Sequence, residues 1–223
     1  DNELNGYTLM NELSVIGQGS GYAATYSPEV LEFVGKPTVG SVTKYLNASQ
    51  NSGFHLVGNP YSAAIDVDEF FSDNSSISSI AIWDDGGASG GSQQSGTFIQ
   101  VNSMGSITAT SNLNENTFNG NIGTGQGFFV ETAGDISVTF QEDQRVYGEN
   151  GDGHFFRYSG PKSIKLSLGN GEVEKQTLIA LDDEASSGYD IQKDAVLRKS
   201  GLPVEMYSIA GGDLLAIQTI APD

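Results

Sequence analysis

GFHLVGNPYSAAIDVDEFF (Gly53–Phe71) carries three local signals in succession. Phe54–Val57 is a short apolar run of strand type. Asn59-Pro60-Tyr61 then reads as a turn, because Pro60 fixes its own φ and keeps Asn59 extended. Asp66, followed three residues on by Glu69, fits a capping box in which the Asp66 side chain accepts the backbone N–H of Glu69. Ile65 before the cap and Phe70 inside the helix make a hydrophobic staple. The stretch therefore predicts strand, turn and one or two turns of helix. No helix-period pattern longer than two turns occurs elsewhere, so this is the one helical interruption in a chain of strands.

On either side, runs rich in Val, Ile, Thr, Phe and Tyr are punctuated by Gly, Asn and Ser. They predict strands near Tyr7–Ile16, Gly21–Tyr26, Val30–Val34, Ser41–Leu46, Phe54–Val57, Ile77–Trp83, Thr97–Val101, Ser106–Thr110 and Gly127–Glu131. A second set is predicted at Ile136–Phe140, His154–Tyr158, Ser163–Leu168, Glu172–Leu181, Val204–Ile209 and Leu214–Thr219. Many short strands at this spacing predict a sandwich or jelly roll. The segments Asp84–Ser95 (DDGGASGGSQQS) and Asn112–Gly125 read as polar loops. No internal repeat is present.

The chain has 223 residues, no cysteine and a formal net charge of −18. That length supports one large all-β unit or two small ones. The lack of cysteine excludes a disulfide framework, a thiolate metal site and a cysteine nucleophile. No apolar run is long enough to span a bilayer. The chain does not open on a basic-then-apolar leader, so any signal peptide is expected to have been removed. The hundred residues between Lys44 and Arg145 contain no Lys or Arg, and residues 1–144 carry a net −14 against −4 for residues 145–223. Such a surface repels nucleic acid and anionic lipid, whose binding requires cations to release counterions. The shift in charge suggests a lobe boundary at about residue 138, giving an N-terminal β lobe at 1–138 and a C-terminal β-sandwich lobe at 139–223. No disordered linker separates them, so the two are expected to pack as one unit.

Asp66 and Asp68 resemble the paired carboxylates of glycoside hydrolysis, but the capping box already accounts for Asp66 and Glu69. His55 and His154 are the only histidines. No G-x-S-x-G elbow accompanies them, and their isolation argues against zinc. Asp1-x-Glu3-x-Asn5-Gly6 with Glu12 imitates a calcium loop but has Glu at its third position and no preceding helix. The better calcium candidate is Asp182, Asp183, Glu184 and Asp190 with Asp194, five acids within thirteen residues beside a Ser-Ser-Gly turn. Glu149-Asn150-Gly151-Asp152 is a second, smaller group. Loops of this kind can bend several oxygens around a hard cation; the alternative is that their acids accept backbone N–H bonds in Asx turns.

Aromatic residues carry the binding expectation, since a sugar's C–H face packs on a ring while amides and carboxylates bind its hydroxyls. Trp83, the only Trp, sits where a strand gives way to the acidic loop. Trp83 with Asp84, Asp85 and Gln93, together with Tyr61 of the turn, is the expected ligand-binding set. Tyr147, Tyr158 and Tyr189 lie at turns or strand ends. Phe128-Phe129 and Phe155-Phe156 come as pairs, and strand alternation turns one of each pair to the core. Core packing is the alternative for every one of these rings. For Arg145 and Arg157 a structural ion pair is expected.

Five segments, Gly53–Phe71, Ile80–Asp84 (IAIWD), Gly125–Val130 (GQGFFV), Gln144–Arg157 (QRVYGENGDGHFFR) and Gln176–Asp194 (QTLIALDDEASSGYDIQKD), lie in an order and spacing that resemble one family. This is the β-rich region that large secreted Bacteroidetes proteins carry before a type IX secretion signal. The resemblance runs from about residue 20 to about residue 220. The family follows its GNPY turn with Pro-Ser and an Ile-Asp-Trp step; here Ser62 and Val67 stand at the Pro and Trp positions, so no binding role carries over there. The resemblance implies a secreted or cell-surface module of a larger multidomain protein, beside polysaccharide-degrading or adhesive domains. The chain shows no C-terminal sorting domain of that family, so an excised module or processed product is expected.

These observations together predict an all-β protein of two closely packed sandwich-like or jelly-roll-like lobes with one short helix after the GNPY turn. The predicted function is a non-catalytic, extracellular carbohydrate-binding module, with a neutral polysaccharide as partner and calcium as a structural ion. No role with nucleic acid, membrane insertion or catalysis is expected. The alternative is a structural spacer or adhesion domain without a small ligand. A third reading, a hydrolase, needs two convergent carboxylates in a cleft.

Overall fold

A computed structural model describes residues 3–4, 7–8, 15–23, 34–47, 53–84, 97–111, 118–132, 134–146, 162–170, 173–199 and 202–222. The strands are β1 (Glu3–Leu4), β2 (Tyr7–Thr8), β3 (Val42–Leu46), β4 (Phe54–Gly58), β5 (Ile65–Asp66), β6 (Ser79–Asp84), β7 (Thr97–Asn102), β8 (Gly105–Ile107) and β9 (Ala109–Ser111). They continue with β10 (Asn121–Ile122), β11 (Gly127–Glu131), β12 (Ile136–Phe140), β13 (Ser163–Gly169), β14 (Val173–Leu181), β15 (Ala195–Val196), β16 (Ser208–Ala210) and β17 (Asp213–Ile220). The one α-helix among the described residues, α1 (Val67–Asp73), has seven residues. The protein is all-β.

Two sheets dominate. The first is antiparallel in the order β4-β11-β6-β7-β8. The second runs β13-β14-β17-β15, with β16 added on β17 and β9 on β14. Its β14 and β17 are parallel, pairing Leu178 with Ile217 and Leu181 with Ile220. Smaller ladders join β1 to β2, β3 to β12 and β5 to β10.

The larger core lies under the first sheet. Strand alternation turns Val57, Phe128, Val130, Ile80, Ile82, Ile99 and Val101 to one side, where they join Val67, Phe70 and Phe71 of α1 and Val42, Leu46, Val138 and Phe140 of the β3–β12 pair. Phe70 packs edge-on to Phe128 at 5.5 Å and lies 5.6 Å from Phe140. The helix sits there for the reasons its sequence predicts. Asp66 accepts from the N–H groups of Asp68 at 2.8 Å and Glu69 at 3.1 Å, and Ile65 and Phe70 are both fully buried in the core. The helix ends at Asn74, whose side-chain amide donates to the Phe70 and Thr139 carbonyls and whose oxygen accepts from Thr139 N. In the preceding turn, Asn59 accepts from Tyr61 N and donates to the carbonyls of Ala63, Ile122 and Gly123. Gly21 lets the 17–21 segment lie against β4, because a Cβ there would meet Leu56 Cγ at 2.5 Å.

A second, smaller core gathers Ile107, Leu178, Ala195, Ala216 and Ile217, with Met104 and Leu197 packed on it. Residue 138 falls inside β12, which pairs with β3 along its length, and Val138 and Phe140 belong to the first core. The two sheets are also interlocked in sequence: β9, from the N-terminal part, pairs with β14 through Lys175↔Ala109 and Val173↔Ser111.

Most predicted strands are present within a residue or two of their expected ends, and β11 and β12 coincide with Gly127–Glu131 and Ile136–Phe140. Ser106–Thr110 divides into β8 and β9, which belong to different sheets. Val15–Ile16, Gly21–Ala23, Val34 and Val204–Tyr207 are not in strands. Residues 9–14, 24–26 and 30–33 of the predicted strands, and the whole of His154–Tyr158, lie outside the described residues.

Candidate functional site

The outer face of the first sheet carries an aromatic row. Cross-strand pairing sets Trp83 on β6 opposite Phe98 on β7, with ring centroids 4.9 Å apart and edge-on. Phe98 in turn lies 5.8 Å from Phe129 of β11. Across the row lies Arg198, its guanidinium carbon 3.2 Å from the Phe54 ring centroid, 5.2 Å from Phe129 and 5.9 Å from Phe98. A guanidinium on ring faces is held by the negative quadrupole of each ring. Phe54, Phe98 and Phe129 are half-buried, while Trp83, at the open end, is 43% exposed.

The segment Leu181–Lys199 lies over the rest of this face and is fixed by buried amides. Gln100, 2% exposed, donates to Val196 O at 2.6 Å and accepts from Arg198 N at 2.8 Å. Asn102 donates to Lys193 O, Ser103 to Gln192 O, and Gln192 to Ser75 O. Beneath the segment the Glu131 carboxylate accepts from the Ser79 hydroxyl at 2.8 Å. Burial holds Glu131 above the ordinary carboxylate range, against the pull of Ser79, Arg198 and the Val196 N–H. Burial also raises Tyr189, with Glu131 adding to the effect and a hydrogen bond to Ser78 opposing it.

Of the predicted ligand-binding set, Trp83 and Asp84 are consecutive at the end of β6, and strand alternation turns their side chains to opposite faces of the sheet. Asp85 and Gln93 lie outside the described residues. Tyr61 is a correction: it is 3% exposed, belongs to the first core, donates its hydroxyl to Gly40 O and carries the Arg145 guanidinium 5.4 Å from its ring centre. The Asn59 turn folds its ring inward, so it offers no face to a ligand. Arg145 itself pairs with Glu142 at 3.3 Å.

The predicted calcium residues occupy one loop, and its carboxylates meet donors of the loop itself. Asp182 accepts from Glu184 N at 2.8 Å and pairs with Lys193 at 3.0 Å, which together hold it below the usual carboxylate range. Asp190 accepts from the N–H and hydroxyl of Ser186 at 2.6 and 2.7 Å. Asp194, fully buried, accepts from Asp190 N at 2.8 Å and Thr219 N at 2.6 Å, which ties the loop to β17. Asp183 and Glu184 are exposed. Among the described residues no three His, Asp or Glu side chains converge as a metal site. The Glu149–Asp152 group and His154 lie outside the described residues. Buried His55 has an Nε2 without a hydrogen-bond partner among the described residues, and burial lowers its pKa from 6.5.

Phe54, Phe98 and Arg198 were not legible as site residues. The long segment between β6 and β7 hides the register that pairs Phe98 with Trp83, and nothing local to Arg198 announces rings from three other strands. The one available signal was the scarcity of cations, ten Lys and Arg in the whole chain.

No curated protein and no solved structure matches the chain. A family model does, over residues 10–222, and its description is a domain of unknown function, DUF8693. With nearly its full length matched, the chain belongs to the DUF8693 family.

Proposed function

We propose that this chain is a non-catalytic carbohydrate-binding module that works outside the cell, holding a larger parent protein or its cell to a neutral polysaccharide. The observation that carries the reading is Trp83. It is 43% exposed and braced edge-on by its cross-strand neighbour Phe98. A braced ring presents a flat apolar surface without loss of rotamer freedom on binding. The net charge of −18 favours neutral over sulfated or uronic glycans. Electrophoresis through gels containing a panel of neutral and anionic polysaccharides tests it: retardation by one neutral glycan, abolished in Trp83→Ala, is expected.

The second reading, a spacer or adhesion domain of a type IX-secreted surface protein, draws on Arg198. Its guanidinium lies over Phe54 and leaves Trp83 as the accessible end of the row. Absence of retardation on every glycan would favour it.

A further inference from the structure

Strand β13 alternates as Ser163-Ile-Lys-Leu-Ser-Leu-Gly169, the pattern of a strand with one buried face. Every residue of it is exposed instead, including Ile164 at 61%, Leu166 at 43% and Leu168 at 50%. It is the edge of the second sheet and among the described residues pairs only with β14. Lys162 O accepts from Leu181 N, and Asn170 N donates to Val173 O, so the even-numbered residues direct their backbone groups to β14. The odd-numbered Ser163, Lys165, Ser167 and Gly169 direct theirs outward. An exposed edge with an apolar row of this kind is a template for another strand.

We propose that β13 pairs antiparallel with β13 of a second copy of this chain, about a two-fold axis at Leu166. Three symmetric registers bring the apolar row together, and charge and pattern choose among them. Centring on Lys165 sets two ammonium groups against each other, which is unfavourable. Centring on Ser167 leaves Ile164 opposite Asn170. Centring on Leu166 matches Ile164 with Leu168 and Leu166 with itself, and faces Lys165 with Ser167. In that register the outward N–H and C=O groups of Lys165 and Ser167 exchange hydrogen bonds, and Leu166 becomes a non-hydrogen-bonded pair. Overall charge agrees. Two copies of a chain at −18 meet with least repulsion where the charge is lowest, and β13 carries Lys165 and no acid within residues 145–223, whose net is only −4.

Sedimentation equilibrium of the 223-residue chain tests the pairing, with Leu166→Lys and, as a control at another exposed site, Ile209→Lys. A reversible dimer is expected, with its dissociation constant raised about tenfold or more by Leu166→Lys and unchanged by Ile209→Lys. A monomer, or a dimer indifferent to Leu166→Lys, overturns the proposal. Because the chain has no cysteine, single thiols then test the register. Leu166→Cys is expected to oxidise to a covalent dimer, its Cα atoms lying about 4.5 Å apart across the axis. Ser163→Cys is expected not to, since its two copies would stand roughly 20 Å apart at about 3.4 Å per residue. Cross-linking through Ser163→Cys and not Leu166→Cys overturns it. Sugar binding at Trp83 is independent of every one of these outcomes.

Discussion

One face of the first sheet turns Phe128, Val130, Ile80, Ile82, Ile99 and Val101 toward α1 and the β3–β12 pair. The other turns Phe129, Trp83, Phe98, Gln100 and Asn102 toward Arg198 and the Leu181–Lys199 segment. Both faces belong to the same strands, and both are aromatic. They differ in what covers them. The inner face is closed mostly by apolar side chains, with the polar atoms of Tyr61 and Asn74 bonded at its margin, so its stability follows chiefly from apolar area and shape. The outer face is closed by a mostly irregular segment that carries the two-residue strand β15, whose backbone groups demand partners; buried Gln100 and Asn102 supply them, and a guanidinium takes the place that a leucine would take in a core. A face covered this way can end in an exposed ring. A close-packed core has no such opening.

The adjacent phenylalanines Phe128 and Phe129 give the most direct way to break the comparison, since they lie on opposite faces of β11. Phe128→Ala is expected to cost about 3–5 kcal/mol, as deletions of large buried side chains do. Phe129→Ala is expected to cost roughly 1–2 kcal/mol, because its ring is only partly buried and its neighbours include a cation. Urea unfolding monitored by Trp83 fluorescence measures both. Equal losses would mean that the outer face is a core in its own right. Next in size is Arg198→Ala, expected to cost about 1–3 kcal/mol, with Arg198→Lys recovering less than half because an ammonium cannot lie flat on three rings. Full recovery by lysine would show that charge near Glu131, and not the planar stack, is what the position requires.

The inner face was legible because its cause is local. Alternation in Gly127–Glu131 and Ile136–Phe140 fixes which side each residue takes, and the Asp66–Glu69 spacing fixes the helix start. The outer face was not legible, for two physical reasons. Its register depends on β6 and β7, joined through a segment too long to dictate pairing. Its covering loop is held by amide-to-backbone bonds spanning some ninety residues, such as Gln100 to Val196, and a polar side chain carries no mark of which distant carbonyl it will meet. The parallel pairing of β14 with β17 escaped for the same reason, and two-residue ladders such as β5–β10 are too short to show a period. Tyr61 is buried although it stands in a turn, because its neighbour Asn59 folds the turn back on the sheet, and turn position alone carries no mark of that.

The two faces also titrate with opposite signs. His55, on the inner side, has a pKa lowered from 6.5 by burial, so below 6.5 the unfolded chain binds a proton that the folded chain refuses. Its effect is a loss of stability as pH falls through 6.5. Glu131, on the outer side, is raised above 4.5, so its folded form binds a proton more readily. Its contribution is full below 4.5 and is lost as pH rises through the raised value. Between pH 4.5 and 6.5 the two slopes oppose each other. Unfolding free energies measured across that window are expected to fall less steeply with acid in His55→Leu than in the parent, and to decline less with rising pH in Glu131→Gln. A Glu131→Gln profile parallel to the parent would remove the buried carboxylate from the outer face.

The smallest effect expected is that of a chelator. The acids of Leu181–Lys199 are the covering loop's own acceptors: Asp182 meets Lys193 and Glu184 N, Asp190 meets Ser186, and Asp194 meets Asp190 N and Thr219 N. A cation placed on these oxygens would have to displace an ammonium and several N–H groups, and of these Asp190 N and Thr219 N, which Asp194 accepts, would be left without an acceptor away from water. Thermal unfolding with calcium and with excess chelator is therefore expected to coincide for the parent chain, whereas Asp194→Ala, which leaves Thr219 N without its acceptor, is expected to lower stability by about 1–3 kcal/mol in both conditions. A melting temperature that drops on chelation, and does so no longer in Asp183→Asn with Glu184→Gln, would place calcium on this loop after all. The outer face would then be closed by an ion as well as by amides, and its difference from the inner face would be larger than side chains alone make it.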